Sequence, residues 1–415
     1  MASDPGPAQE AAVAAARRSY GKLVAFLAAR TRDVAGAEDA LADAFATALS
    51  TWPGRGVPDN PEAWLLTVAR RKMIDEARLR RSGEGAAEHL ALLAELAQGE
   101  EGEGAIPADR LALMFACAHP AIDAGIRAPL MLQAILGFDA AAIGSAFLVA
   151  PATMGQRLVR AKSRIRQAGI PFRVPGQADL RERLGAVLDA IYAAYSEGWD
   201  DAAGTDARRR NLAQEAIWLG SLVASLLPRE PEALGLLSLM LHAQARRAAR
   251  RDAGGAYVPL ERQDVALWDG PMIERAEALL REAAALDGIG RFQLEAAVQS
   301  AHVIRRRTGQ ADWPAIERLY AALETLTASP VVSINRAVAM AETGGARAGL
   351  QLLDTLAADP RLAEYQPYWA ARAGLLARCG DTREAAAAYQ RAIGLERDPA
   401  VRQFLQRQRE ALDAR

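Results

Sequence analysis

The sequence predicts an all-α fold, and three observations carry that prediction. Apolar residues recur at three- and four-residue spacing almost throughout, which is the period of one helix face. No sustained alternation of β-branched and polar residues occurs, nor an Asn-Gly or Asp-Gly turn between two such runs, so hairpins are not expected. Apolar residues make up 51% of the chain and aromatic ones 6%, the balance of helices packed through Ala and Leu. At 415 residues the chain exceeds one ordinary core, and two or three domains are expected.

The first helical block spans 11–81. Residues 37–46 (AEDALADAFA) form an acidic amphipathic helix. Residues 51–61 (TWPGRGVPDNP) are dense in Pro and Gly and read as a loop. A basic helix follows over 62–78, with Arg71, Asp75 and Arg78 on one side at i, i+4 and i+7, and Arg80 and Arg81 beyond it. Residues 82–106 hold six Glu, several Gly and no basic residue, and read as a linker.

A second block covers 107–175 and contains the most specific local signal. Asp139 caps a short helix over 139–147 with Ile143 facing inward. Leu148, Val149 and Ala150 make a turn, and Pro151 opens a second helix at its first position. At 100° per residue, Thr153, Gln156, Arg157, Arg160 and Arg164 share one arc, while Met154, Leu158, Ala161 and Ile165 share the opposing one. Arg paired with guanine and Gln paired with adenine read the major groove, and 152–168 contains no acid. The spacing therefore predicts a helix-turn-helix that binds DNA.

From 178 to 415 the pattern becomes long helix pairs. The clearest unit, 368–399, has a Gly380-Asp381 turn, and turn glycines recur upstream at Gly344 and Gly309. These spacings lie close to the tetratricopeptide period of about 34 residues. Residues 246–272 interrupt the period as a long insertion between the helices of one pair. Trp199, Trp218, Trp268, Trp313 and Trp369 are expected as core residues of these pairs.

A net charge of −1 conceals an uneven distribution. Residues 68–81 carry +4, 82–106 carry −6 and 107–175 carry +5. Two basic segments parted by an acidic spacer suit a polyanionic partner. Two lone cysteines, Cys117 and Cys379, exclude a disulfide framework and a Cys-rich zinc site. The four histidines are scattered without metal-ligand spacing, and Gly102 and Gly104 are not followed by the Lys-Ser/Thr of a phosphate loop. No enzyme activity, cofactor or metal is expected. The longest apolar stretch is too short for a bilayer, and the first residues lack the basic start and apolar core of a secretory signal, so a cytoplasmic location is expected.

This order of parts resembles an extracytoplasmic-function sigma factor of the sigma-70 family with a C-terminal tetratricopeptide-like domain. The stretches that carry the resemblance are 36–75 (GAEDALADAFATALSTWPGRGVPDNPEAWLLTVARRKMID) and 143–175 (IGSAFLVAPATMGQRLVRAKSRIRQAGIPFRVP), with further matches at 115–122, 287–303 and 329–339. The resemblance implies region two over 11–81, a linker over 82–106, region four over 107–175 and the repeat domain over 178–415. It implies docking of Glu38, Asp39, Asp43 and Phe45 on the β′ clamp helices of core RNA polymerase. Minus-ten recognition and melting would fall to Trp64, Arg70, Arg71, Asp75 and Arg78. Thr153, Gln156, Arg157, Arg160 and Arg164 would enter the minus-35 major groove, with the polymerase β flap as a further partner. The repeats would hold a regulatory protein or make an intramolecular contact. The residues alone leave two alternatives: a helix-turn-helix regulator with a helical effector domain, and a repeat scaffold.

Overall fold

The computed structural model describes residues 7–79, 105–147, 149–199 and 207–413. Among them the chain is all-α. No strand occurs, and one isolated antiparallel bridge joins Arg251 to Tyr257. The chain divides into two compact units, one ending at Leu226 and one beginning at Leu227.

In the first unit, α1 (Pro7–Thr31), α2 (Val34–Arg55) and α3 (Pro61–Leu79) pack together on Leu27, Leu41, Trp52, Leu65 and Ala69, all essentially removed from water. Asp33 starts α2 by accepting the Gly36 N–H at 3.0 Å, which satisfies one of the free amides of a first turn. The Pro/Gly loop begins later than the sequence suggests. Helix α2 runs on through Trp52 and Pro53 and stops at Gly56, whose φ of 86° ends it. Burial of Trp52 fixes that last turn, and Pro53 costs only a bond to the carbonyl of exposed Leu49.

Helices α4 (Ala105–Cys117) and α5 (Ala124–Leu136) pack on α1. The approach is so close that a Cβ on Gly21 would stand 1.6 Å from the Ile135 carbonyl oxygen. Cys117 is buried as a small apolar group. Helix α6 (Ala140–Ala146), helix α7 (Pro151–Gln167), helix α8 (Gln177–Trp199) and helix α9 (Ala207–Leu226) complete the unit. The first unit thus takes in α8 and α9, which the sequence pattern groups with the repeats. Arg183 of α8 donates to the Phe115 carbonyl at 3.2 Å, and the Arg110 guanidinium lies 5.1 Å from the Trp218 ring centroid of α9.

The second unit begins with α10 (Pro231–Ala245), which is buried on all sides between α11 (Gly270–Ala284) and α12 (Arg291–Val303). Such a helix carries no one-sided apolar stripe, and its few polar members must find partners inside the fold. Its Glu232 carboxylate accepts the Phe292 and Gln293 N–H groups, each at 3.0 Å, and so caps α12 from a neighbouring helix. A side chain at Gly290 would collide with that carboxylate, standing 2.1 Å from its Cδ.

Residues 246–269 link α10 to α11 through three 3-10 turns, as the insertion expected from sequence. Trp268, 4% exposed, is held between Arg246 and Arg305, whose guanidinium carbons lie 5.8 and 5.1 Å from its ring centroid. The insertion also reaches the end of the chain: Arg251 pairs with Asp398, and Tyr257 meets the Phe404 ring edge-on at 5.5 Å.

The remaining helices are α13 (Arg305–Thr308), α14 (Trp313–Thr327), α15 (Pro330–Thr343), α16 (Ala346–Thr355), α17 (Gln366–Cys379), α18 (Thr382–Leu395) and α19 (Pro399–Asp413). Gly380 turns α17 into α18 at φ 85°, in the left-handed region, as the expected turn requires. At the middle turn the left-handed residue is Gly345, at φ 87°, and not Gly344. Of the five tryptophans expected in the cores, only Trp268 is buried; Trp218 is 39% exposed, and Tyr368 takes the buried place beside Trp369.

Candidate nucleic-acid interface

Helices α6 and α7 are joined through Phe147, Val149 and Ala150; Leu148, also expected in this turn, lies outside the described residues. Asp139 accepts the Ala142 N–H at 2.6 Å and so starts α6, while Pro151 occupies the first position of α7. The turn closes on Gly144, where a Cβ would stand 2.6 Å from the Val149 carbonyl oxygen. Ile143 of α6 and Met154, Leu158, Ala161 and Ile165 of α7 are buried, none more than 6% exposed.

With that face fixed inward, Thr153, Gln156, Arg157, Arg160 and Arg164 are all exposed, as the helical projection predicts. None of the three arginines has an acidic partner among the described residues. Arg157, Arg160 and Arg164 border a cleft of about 610 Å³, whose far side is Ile122, Asp123 and the first turn of α5. Asp123 is occupied in that turn, accepting the Gly125 N–H at 3.0 Å. The result is an exposed cationic face, without an ion pair among the described residues, on a helix packed against a second helix.

The other expected residues are placed more variously. Trp64 is half-buried and meets buried Trp52 edge-on at 5.5 Å. Arg70 turns toward the core, its guanidinium 4.8 Å from the Phe26 ring centroid, which Arg30 also approaches, at 3.5 Å. Arg71 and Asp75 are exposed. The side chain of Arg78 lies outside the described residues, as do Arg80, Arg81 and the expected acidic linker over 82–104; Ala105 and Ile106 already belong to α4. On α2, Asp39 is exposed, Asp43 is exposed with its carboxylate 2.8 Å from Lys72, and Phe45 is half-buried. Such an exposed pair contributes little to stability.

Glu38 departs from this pattern. It is 8% exposed, and its carboxylate accepts Lys162 Nζ of α7 at 2.5 Å. Burial pushes the Glu38 carboxyl above the usual range, and the Lys162 ammonium pulls it back. Glu38 stands out in the sequence and Lys162 does not, because a pair 124 residues apart leaves no local spacing to read. The same holds for Lys22, which bonds Glu62 at 2.7 Å, and for Arg30, which bonds Asp109 at 3.1 Å. Among the described residues no cluster of His, Cys, Asp and Glu could hold a metal ion, and no helix is long and apolar enough to cross a membrane.

Comparison with known proteins assigns the first part of this assembly. Residues 16–83 match sigma-70 region 2, and residues 183–284 match a family of unknown function (DUF6596). An uncharacterized protein of Rhizobium meliloti (strain 1021) is 39% identical over 418 residues, spanning 99% of this chain and 97% of its own length. The chain belongs to that protein's family and carries a sigma-70 region 2. No solved structure matches it. Region 2 accounts for α1, α2 and α3, and it implies binding to core RNA polymerase and promoter DNA in transcription initiation. The second match begins at Arg183 in α8 and ends at Ala284, the last residue of α11, so it spans parts of both compact units.

Proposed function

We propose that this sigma-70 family chain is a factor of the extracytoplasmic-function type, which directs core RNA polymerase to a small set of promoters. In this reading the helix-turn-helix of α6 and α7 serves as region four, and Thr153, Gln156, Arg157, Arg160 and Arg164 enter the minus-35 major groove. Region two docks on the β′ clamp helices through Glu38, Asp39, Asp43 and Phe45. Trp64, Arg71, Asp75 and Arg78 face the minus-ten element, and Arg70 supports them from the core side. The work is binding and strand separation: unstacking costs a few kcal/mol, and capture of a flipped base offsets it without covalent chemistry. The later helices form a tetratricopeptide-like regulatory domain, and the protein acts in the cytoplasm.

The observation that carries the reading is the acid-free arginine face of α7, built on the same core as a sigma-70 region 2. Reconstitution with core polymerase on a genomic library, with mapping of transcript starts, tests it. A discrete set of new starts is expected, and initiation unchanged by the added chain would overturn it. An ordinary helix-turn-helix regulator would instead bind duplex DNA tightly without polymerase. For the regulatory role, run-off transcription with a chain ending at Leu226 is the measure; unchanged output and unchanged regulation would remove it.

A further inference from the structure

The start of α3 is tied down from two directions. Asn60 caps the helix, its Oδ1 accepting the Ala63 N–H at 3.0 Å. Glu62, in the first turn, reaches back to α1 with both carboxylate oxygens. Its Oε1 accepts the hydroxyl of fully buried Ser19, and its Oε2 accepts Lys22 Nζ at 2.7 Å. Lys22 is one of three lysines among 50 basic residues. The residue type suits the arrangement, since an ammonium takes one oxygen and leaves the other to Ser19. The guanidinium fork of an arginine would claim both.

The segment before α3 is held from the other side. Trp52, 2% exposed, fixes the last turn of α2, and Gly56 ends that helix. From Gly56 to Asn60 every residue is exposed except half-buried Pro58. Trp64 is half-buried one turn into α3, where it meets the Trp52 ring edge-on at 5.5 Å. An exposed loop and a partly open indole are thus framed by a buried tryptophan and by Glu62. The Lys22 and Glu62 side chains are 33% and 31% exposed, and so open a pair contributes little to stability. What the pair does contribute is direction, because it sets the angle at which the chain enters α3.

We propose that Glu62 is a positioning residue for minus-ten opening, holding Trp64 and the loop 56–60 in place for an unpaired strand. The proposal rests on the sigma-factor reading. A segment already in place loses less conformational freedom on binding, and its apparent affinity falls with the fraction of time it is in place. Unpaired bases must be held for strands to stay apart, so Glu62 acts on opening and not on recognition of intact duplex.

The test uses the full chain with core polymerase on a promoter taken from the mapped starts. Single-round transcripts are counted on the intact duplex and on the same template with mismatched minus-ten strands. Glu62→Ala should lower output about tenfold on the duplex, the factor for a loop in place a tenth of the time. On the mismatched template the loss should be under about twofold, since opening is already supplied. Glu62→Gln keeps one acceptor and should recover most of the duplex output. Lys22→Met leaves Ser19 its acceptor and should lower duplex output about threefold with the melting temperature unchanged, so the test stands even if Glu62→Ala fails to fold. A merely structural role would lower both templates equally, and that result overturns the proposal. So does a gain on the duplex from Glu62→Ala, the outcome that removing a negative charge from a DNA-binding unit gives by charge alone. Wild-type initiation that ignores both Glu62 and Lys22 removes this assignment alone. A wild-type chain that directs no new starts overturns the sigma-factor reading, and the assignment with it.

Discussion

Arg157 and Arg160 hold their positions because Met154, Leu158, Ala161 and Ile165 fix the opposite side of α7, so their loss should touch function and spare the fold. Replacing both with Ala should lower promoter-specific transcription at least tenfold, at about 1–3 kcal/mol per lost contact, with the melting temperature unchanged; a run-off assay beside thermal unfolding separates the two. Gly144 is the opposite case. Ala there gains about 1 kcal/mol of helix propensity but drives a Cβ into the Val149 carbonyl, and backbone cannot yield as a side chain can. A net loss of about 2 kcal/mol is expected in denaturant unfolding, with weakened DNA binding. Both the α7 face and its buried complement were legible, because a 3.6-residue period and a run without acids are local properties. Lys162 was not, nor was the inward turn of Arg70 onto Phe26, since each depends on a partner that only the folded chain brings near.

Helix α10 shows what an element demands of its polar members. His242 is fully buried there, 3.4 Å from Glu277, with the Arg246 guanidinium one turn on. Burial first, and then the Arg246 charge, lower its imidazole to about 4. The unfolded chain binds the proton near 6.5, so between pH 6.5 and 4 the unfolded state takes up more protons than the native one. Stability from this site is therefore complete above pH 6.5 and falls as the solution is acidified, by about 2 kcal/mol at pH 5. Urea unfolding at pH 7.5 and pH 5 should show that loss, and His242→Leu should reduce it. Element boundaries were less legible than element types. Trp52 carried α2 through a proline that local rules take as a stop, and the core of the second unit took Tyr368 over Trp369, because burial is settled by neighbours in space.

At the scale of the molecule, the compact units part at Leu226, whereas the sequence pattern changes near residue 178. Helices α8 and α9 follow the later pattern yet lie on α4, where Arg183 and Trp218 meet Phe115 and Arg110. A chain of residues 1–226 should therefore fold cooperatively on its own, while a chain of 1–176 should expose the α4 and α5 surface and bind a hydrophobic dye; circular dichroism and dye fluorescence would tell them apart. The all-α class was open to sequence because helical periodicity repeats in every element, and the grouping of helices into units was not, because periodicity says which face is apolar and not which neighbour covers it. The Arg251–Asp398 pair has a consequence for biosynthesis. Its two ends are 147 residues apart in the chain. At about 5–20 residues per second, Arg251 waits about 7–30 s at the ribosome for Asp398 to be made. Over that interval the first unit is already synthesised in full, so a nascent sigma-70 region 2 can meet polymerase before the second unit is complete.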